Sequence, residues 1–178
     1  MMLTAVAMAL AAAQASPQTP PAAAAPAPKA CTSPSHRAFD FWVGDWTVTQ
    51  TGKPKQVANS KIERLYGDCV IRENWMPFSN PGGGSLNHYD PSDGQWHQVW
   101  MDNSGARVEF VGGPVGKTMR LSGYWRDLVA PGKHAWVRMT YTPSPDGSVR
   151  QLGEQSVDFG RSWSPSFDFT YHPKAPTR

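Results

Sequence analysis

The chain has 178 residues, a formal net charge of +3 at pH 7, and charged residues at only 17% of its positions. This length suggests a single domain that buries a substantial core. Because the Lys and Arg residues are spread along the chain, with no basic run and no recognition-helix pattern, we expect no nucleic-acid partner.

The first residues have the pattern of a signal peptide. Met1–Ala12 is nearly all apolar, and Ala13-Gln14-Ala15 fits the small-x-small rule of signal peptidase, which places the cut after Ala15. We therefore expect residues 1–15 to be removed and the protein to be periplasmic or secreted. The alternative is an ordinary hydrophobic N-terminal helix, since no Lys or Arg precedes the apolar run. The run is too short and too rich in Ala for us to expect a membrane span.

Residues 16–30 consist mainly of Pro and Ala. Such a segment cannot bury apolar surface, so we predict an extended, disordered linker. The folded domain is then expected over residues 31–173, followed by a flexible tail over residues 174–178.

The chain has two cysteines, Cys31 and Cys69. An even number of cysteines in an exported chain favours one disulfide, which in the chain-entropy model contributes ~4 kcal/mol. The alternative is two unrelated free thiols. There is no Cys-x-x-Cys pair, so neither a redox motif nor a zinc knuckle is indicated.

An aromatic string marks the start of the domain. Phe39–Trp46 contains two Phe and two Trp, and it runs directly into the alternating Thr47-Val48-Thr49. Each Trp buries a very large area, so much of the fold must cover this string. We predict one short helix near Ser35–Phe41, just before the first strand.

The rest of the chain reads as strands. Gly and Pro interrupt it at short intervals, and between them lie short alternating runs that are typical of an antiparallel all-β domain. The ten predicted strands are Val43–Thr51, Val57–Tyr66, Asp68–Met76, Gly84–Asp90, Gln95–Asp102, Ala106–Val111, Lys117–Trp125, His134–Thr142, Ser148–Val157 and Ser162–Tyr171.

The connections between these strands are short. Asp90–Gly94 and Pro143–Gly147 end in Asp-Gly, a strong hairpin signal, and Asp102–Gly105 and Gly112–Gly116 mark two more tight turns. Links this short exclude the crossovers of a parallel sheet. We predict an up-and-down antiparallel β-barrel of about ten strands, closed to remove its edges, with a β-sandwich as the alternative.

The same residues support a resemblance to known proteins. Gly44-Asp45-Trp46 resembles the strand opening of lipocalin and wider calycin barrels, and the fuller string Phe39–Trp46 is similar to a family of secreted bacterial proteins known mainly as a domain of unknown function. Further similar stretches are 67–75, 85–90, 96–102, 147–154 and 159–168. The resemblance implies a calycin-type barrel and export, and it implies no particular reaction.

Every second residue of a barrel strand points inward. One register directs nine candidate ligand-binding residues into the lumen, namely Glu73, Trp75, Asn87, Tyr89, Trp96, Gln98, Trp100, Arg138 and Glu154. Apolar walls with a few orienting polar groups are typical of small-molecule pockets, so we predict binding of a small, partly apolar ligand. A buried Arg138 would need a carboxylate from Glu73 or Glu154.

Two other interpretations of the aromatic residues stay open. The opposite register in the eighth strand puts Val137, Met139 and Tyr141 inside, and the Trp residues would then simply fill a packed structural barrel. Alternatively, exposed Trp side chains would bind cell-envelope carbohydrate, which the 8 Trp of an exported chain suggest.

No stretch carries a recognisable catalytic signature, which favours a binding protein over an enzyme. Gly83–Asn87 lacks the final Gly of a nucleophile elbow, and Asn80–Gly84 lacks the Lys-Ser/Thr of a phosphate loop. An isomerase or hydratase acting on an apolar substrate is the alternative. Its general acid would be Glu73 or Glu154, with the pKa raised by burial, set against Arg138.

We expect no metal site and no cofactor. The five His are not paired as His-x-His or His-x-x-x-His, and Asp90–Gly94 lacks the last ligand of a calcium loop. Haem is the alternative, because some ten-stranded calycin relatives bind it through a lumen His, here His172, His88 or His97. Since Pro173 follows His172, we expect that residue at the end of a strand. The sequence carries no signal for the oligomeric state.

Overall fold

The structure is a computed structural model that describes residues 30–79 and 82–175. The predicted signal peptide, nearly all of the Pro/Ala-rich linker and residues 176–178 of the predicted tail lie outside the described residues. Within the described ranges, no helix has the length and apolar character needed to cross a membrane.

Two short helical turns precede ten strands. A single helical turn, α1, spans Pro34–Arg37, and a 3₁₀ turn spans Asp40–Trp42. The strands are β1 Gly44–Gln50, β2 Gln56–Leu65, β3 Val70–Pro77, β4 Gly83–Asp90, β5 Gln95–Asp102, β6 Arg107–Val115, β7 Thr118–Ala130, β8 Lys133–Pro143, β9 Val149–Ser156 and β10 Ser164–Pro173.

The strands form a closed, antiparallel, up-and-down barrel. Each strand pairs with its neighbours in sequence, and β10 returns to pair with β1, for example through Tyr171 opposite Val48. The barrel predicted from the sequence is therefore confirmed, and the β-sandwich alternative is wrong. Short links force each strand to pair with the next, and closure of the sheet leaves no exposed edge.

The two Asp-Gly turns form as their sequences require. Gly94 and Gly147 adopt positive φ values of 73° and 83°, a conformation that costs glycine little. In the second turn Oδ1 of Asp146 accepts a hydrogen bond from the backbone N–H of Ser148 at 3.0 Å. Because these contacts lie within the turns, the turn residues themselves set the register of the two strands that each turn joins.

One predicted turn is placed wrongly. We expected Gly112–Gly116 to form a connection, but β6 continues through Val115 and pairs with β7 along this stretch. A Cβ atom on Gly112 would lie 2.1 Å from the carbonyl oxygen of Arg120, so the glycine is present because the two strands approach closely. The actual turn lies at Gly116, which has a φ of 61°.

An aromatic plug, Phe39 and Trp42, fills one end of the barrel. Both side chains are fully buried, and their rings stack with centroids 4.9 Å apart. Phe39 also meets the ring of Tyr141 edge-on at 4.9 Å. The sequence places this string just before β1, and the barrel closes around it because two large rings need apolar cover on every side.

Hydrogen bonds and charges hold the plug to the strands. The indole N–H of Trp96, on β5, donates to the backbone oxygen of Ser35 in α1 at 3.1 Å. Asp40 pairs with Arg37 at 2.7 Å and with Arg64 of β2 at 2.5 Å. The short helical segment is thus connected to β2 and β5 as well as to the strand that follows it.

The predicted disulfide between Cys31 and Cys69 is confirmed. Their Cα atoms lie 5.1 Å apart, and the bond joins the residues that lead into α1 to the turn directly before β3. The bridge therefore fixes the plug from its N-terminal side. A disulfide of this kind is typical of proteins that fold in an oxidising compartment.

We expect Trp42→Ala to lower the free energy of unfolding by about 3–5 kcal/mol, because it leaves a large cavity in a fully enclosed aromatic stack. Urea unfolding followed by circular dichroism measures this change. The matched control is Trp136→Ala, which removes a Trp that is 39% exposed on the outer face. Equal losses in the two variants would contradict a structural role for the plug.

Candidate functional site

A cavity of about 350 Å³ lies in the barrel at the end opposite the aromatic plug. Its lining includes Gln50 at the end of β1, Val57 near the start of β2 and Pro77 at the end of β3, and these strand ends lie on the same side of the barrel. The plug fills the other side, where β1 begins and β10 ends. We call this cavity the lumen pocket.

Aromatic side chains make up much of its wall. They are Trp75, Trp100, Trp125, Phe167 and Phe169. The ring of Phe169 lies 5.6 Å from that of Phe167 in a stacked arrangement and 5.4 Å from that of Trp75. Phe167 and Phe169 lie two positions apart on β10, and Trp75 lies two positions from the buried Glu73 on β3, so the pleat directs these three rings to the interior.

Glu73, on β3, forms the floor of the lumen pocket and is only 5% exposed. Three hydroxyl groups surround its carboxyl group. Oε2 lies 3.2 Å from Oγ of Ser85, and Oε1 lies 3.3 Å from the Tyr171 hydroxyl and 3.4 Å from Oγ of Ser60. The carboxyl group is thus hydrogen-bonded, and none of the described residues gives it a charged partner.

Burial raises the pKa of the Glu73 carboxyl to about 7, and the hydrogen bonds from Ser85, Tyr171 and Ser60 lower it only in part. Removal from water disfavours the charged form, and neutral hydroxyls offset that cost less than a cation would. Burial likewise raises the pKa of the Tyr171 hydroxyl, which therefore keeps its proton at neutral pH. Glu73 is thus poised between its neutral and ionised forms near neutral pH.

The hydroxyl of Tyr171 is shared between two acceptors. It lies 2.7 Å from Oε1 of Gln151 and 3.3 Å from Oε1 of Glu73, but it carries only one proton. When it donates to the closer Gln151, the contact with Glu73 is a hydrogen bond only if the carboxyl group supplies the proton. This arrangement therefore suits a neutral Glu73.

A polar network extends below the carboxyl group. The side-chain amide of Asn87 donates to Oγ of Ser85 at 3.0 Å, and that of Gln98 donates to Oδ1 of Asn87 at 2.7 Å. Both amides are buried, and Asn87 also donates to the backbone oxygen of Ile71 at 3.0 Å. The chain of donors holds Ser85 in position beside Glu73.

Seven of the nine candidate residues fall into three groups. Glu73, Trp75 and Trp100 line the lumen pocket. The side chains of Asn87 and Gln98 lie in the buried network beneath it. Trp96 and Tyr89 lie at the plugged end, where Trp96 packs against Phe39 with ring centroids 5.7 Å apart and Tyr89 meets His36 at 5.0 Å. Whether any of them contacts a ligand stays a prediction.

The lumen positions expected for Arg138 and Glu154 are wrong. Val137, Met139 and Tyr141 occupy the inner face of β8, so Arg138 lies on the outer face, where it pairs with Glu154 at 2.8 Å. The guanidinium group also lies 4.2 Å from the ring centroid of Trp163. An outer position leaves the ion pair partly hydrated, which avoids the cost of burying it.

Several residues that line the lumen pocket are not among the candidates predicted from the sequence. Phe167, Phe169 and Tyr171 alternate along β10, and that alternation was a usable signal for an inward face. Met139 was expected inside in only one of the two registers considered for the eighth strand. Gln151 had no such signal, because its direction depends on the register of β9.

The three histidines considered as haem ligands lie outside the lumen. His88 and His97 stack on neighbouring strands with ring centroids 5.4 Å apart, and His172 lies 3.2 Å from Oγ1 of Thr49 at an exposed position. No His lines the lumen pocket among the described residues. None of the three is therefore placed to act as an axial ligand inside the barrel.

One group of possible metal ligands lies at the surface turn between β4 and β5. Ligand atoms of Asp90, Asp93 and His97 fall within 4.8 Å of one another. The turn itself accounts for this geometry. Asp90 accepts a hydrogen bond from the backbone N–H of Ser92 at 2.8 Å, and Asp93 contacts His97 at 2.8 Å. Carboxylates commonly stabilise turns in this way.

Comparison with known proteins adds no assignment to the site. A scan against protein-family models finds no match for the chain, and a search of curated proteins finds none either. The resemblance to calycins and to secreted bacterial proteins therefore stays a prediction from the sequence.

We expect Glu73→Gln to remove a pH dependence of stability. In the folded state the pKa of Glu73 is raised from 4.5 to about 7, so the native state binds more protons than the unfolded state between these values. The stabilisation by neutral Glu73 is complete below pH 4.5 and is lost as the pH rises through 7. The difference in unfolding free energy between variant and wild type should therefore shift by roughly 3 kcal/mol in favour of the variant.

Urea unfolding of both proteins from pH 4.5 to pH 8 measures this difference. Taking the difference cancels the contributions of the surface carboxylates, which are common to both proteins. A difference that stays constant over this range would contradict an ionisable Glu73 on the pocket floor.

Proposed function

We propose that the protein binds a small, partly apolar molecule in the lumen pocket. The observation that carries this proposal is the pocket itself, which combines aromatic walls with a single buried carboxyl group on its floor. Its volume of about 350 Å³ lies at the low end of the range for small-molecule sites, about 300–1,000 Å³. The ligand it suits is correspondingly small.

The residues have different roles in this proposal. Trp75 and Trp100 form walls against which an apolar body packs, and Glu73 orients a polar group of the ligand. Asn87 and Gln98 act indirectly, by holding Ser85 beside the carboxyl group. Tyr89 and Trp96 stabilise the plugged end, and Arg138 and Glu154, which pair on the outer face, have no role in this proposal.

We also propose that the protein is exported and related to the calycins. The Cys31–Cys69 disulfide supports an oxidising compartment, as does the signal-peptide pattern of residues 1–15. The closed ten-stranded barrel is the architecture that the calycin resemblance implies. Detection of the mature N-terminus by mass spectrometry of the exported protein would test the cleavage after Ala15.

We expect Trp100→Ala to weaken binding much more than it lowers stability. The test uses N-phenyl-1-naphthylamine, a neutral apolar dye whose fluorescence rises on transfer to an apolar pocket. Loss of one wall should reduce its affinity by about tenfold or more, since a buried Trp provides a large contact area. Urea unfolding of the same variant measures the change in stability.

Trp96→Ala is the matched control. Trp96 is a fully enclosed Trp on the same strand and the same face, but it lies at the plugged end. This control should lose more stability and retain dye binding under conditions where it is folded. If the two variants lose binding and stability in the same proportion, Trp100 is a core residue and the pocket is not a binding site.

A second candidate function is isomerase or hydratase chemistry on an apolar substrate. The observation in its favour is a buried carboxyl group with a pKa of about 7 at the floor of an apolar pocket, since a general acid or base works best near the operating pH. Arg138 cannot assist it, because that side chain lies on the outer face. The neighbouring groups are Ser85 and Tyr171 instead.

For this second function we expect a bell-shaped or sigmoidal pH–rate profile that disappears in Glu73→Gln. Conversion of cyclohex-3-enone to its conjugated isomer, in which a proton moves from C2 to C4, is followed by ultraviolet absorbance. Glu154→Gln, on the outer face, is the control and should leave the rate unchanged. If Glu73→Gln alters stability but no rate, the carboxyl group has no catalytic role.

Carbohydrate binding through exposed Trp receives less support. Of the 8 Trp, only Trp136 combines a large ring with an exposure of 39%, next to Tyr124 at 5.7 Å. The other Trp residues are buried or half-buried.

A further inference from the structure

In the part of the chain that the structure describes, the lumen pocket is lined by an acidic side chain but by no basic one. Of the described residues in its lining, Glu73 is the only charged one, and the other polar lining groups, Gln50, Ser79, Gln151 and the Tyr171 hydroxyl, are neutral. No Lys, Arg or His lies in that lining among the described residues. Arg138, which the sequence suggested as an internal cation, pairs with Glu154 outside the barrel. Among the residues that the structure describes, none therefore supplies a counter-charge to an ionised Glu73.

Neutral hydrogen bonds do not replace that counter-charge. The three hydroxyl contacts of Glu73 are 3.2–3.4 Å long, whereas hydrogen bonds to a carboxylate are normally shorter. A buried carboxylate without a cation is costly. A positive group entering from the pocket would remove this cost, because the carboxyl group lies in the pocket lining itself.

The walls suit the same kind of ligand. Five aromatic rings line the pocket, those of Trp75, Trp100, Trp125, Phe167 and Phe169. The face of an aromatic ring attracts a cation, and Trp does so most strongly. The rings also provide apolar surface for an uncharged body. The aromatic walls and the Glu73 carboxyl group on the floor thus favour the same kind of ligand, a cation with an apolar body.

We propose that the lumen pocket selects a small ammonium ligand with an apolar or aromatic body, whose cationic nitrogen approaches Glu73 while the body packs against the Trp and Phe rings. This inference rests on the proposed binding function and specifies its ligand class. A carboxylate ligand does not fit, because it would bring a second negative charge to Glu73 with no cation to stabilise either.

Binding of such a cation is linked to a proton. The groups that face Glu73 are Ser60 from β2, Ser85 from β4, Gln151 from β9 and Tyr171 from β10, and all are neutral at pH 7. Tyr141 of β8 lies nearby, and burial raises the pKa of its hydroxyl too. Glu73 is therefore the lumen group whose charge changes near neutral pH, and the affinity for a cation should rise as it ionises.

The experiment compares three probes of similar size and different charge. Phenyltrimethylammonium carries a fixed positive charge, tert-butylbenzene is its neutral isostere, and phenylacetate is an anion. Each displaces N-phenyl-1-naphthylamine from the wild type, Glu73→Gln and the outer-face control Glu154→Gln, at pH 8 and at pH 5.5. Because the cation has no titratable proton, any pH effect on its binding belongs to the protein.

At pH 8 we expect the wild type and Glu154→Gln to bind phenyltrimethylammonium about tenfold more tightly than tert-butylbenzene. The preference should shrink toward equality at pH 5.5 and should be absent in Glu73→Gln at both pH values. Tert-butylbenzene should bind the three proteins alike. If Glu73→Gln does not fold, the loss of preference in the wild type between pH 8 and pH 5.5 is the deciding result.

Two results would overturn the inference in distinguishable ways. If tert-butylbenzene or phenylacetate binds as tightly as the cation at pH 8, the pocket binds small molecules but does not select an ammonium group, and the proposed function stands. If the dye does not bind and none of the probes changes the protein's Trp fluorescence, the proposed function fails, and the inference fails with it.

Discussion

One end of the barrel is filled by side chains that come from outside its ten strands, and the barrel depends on this filling. Ten strands enclose more space than their inward side chains occupy. The residues just before β1 fill part of it, with Phe39 and Trp42 stacked inside and the Cys31–Cys69 bond holding their segment to the turn before β3. Because this plug occupies only one end, the space at the other end remains as the lumen pocket. The position of the pocket is thus a consequence of where the aromatic string lies in the sequence.

Between plug and pocket the interior changes from apolar to polar and back to apolar. Glu73, Ser85 and Asn87 form a buried polar layer, and the aromatic rings of the pocket lie beyond it. Buried polar groups are stable only when they are hydrogen-bonded, and the amides and hydroxyls here satisfy one another. The carboxyl group is the exception, since it is hydrogen-bonded but lacks a charge partner. A binding or catalytic function at this layer would therefore involve the Glu73 carboxyl group.

The fold could be predicted from the sequence because its signals are local, and the disulfide because two cysteines allow only one pairing. Alternation, Asp-Gly turns and short links define hairpins without knowledge of distant contacts. Glu73, Trp75 and Trp100 were also directed inward correctly. Glu73 and Trp75 share one face of β3 with Ile71, and Trp100 shares one face of β5 with Trp96.

The direction of Arg138 could not be predicted in this way. β8 carries large side chains on both faces, with Val137 and Met139 on one and Trp136 on the other. What decides the register is the distant environment of Arg138, namely Glu154 and the ring of Trp163. The same holds for Gln151, whose role depends on the hydroxyl groups of Tyr141 and Tyr171. Contacts between residues far apart in sequence have no signature in a local pattern.

The two points at which the chain enters and leaves the barrel lie on the same side of it, away from the pocket. The chain enters at Cys31, bonded to the turn before β3, and leaves at Pro173, which pairs with Trp46 near the start of β1. Both points lie at the plugged end, and Lys174 donates a hydrogen bond to the backbone oxygen of Asp45 there at 2.8 Å. An affinity tag, a surface attachment or a fused domain joined at either point therefore starts on the side facing away from the pocket mouth. Immobilised in this way, the barrel presents its opening to the solution.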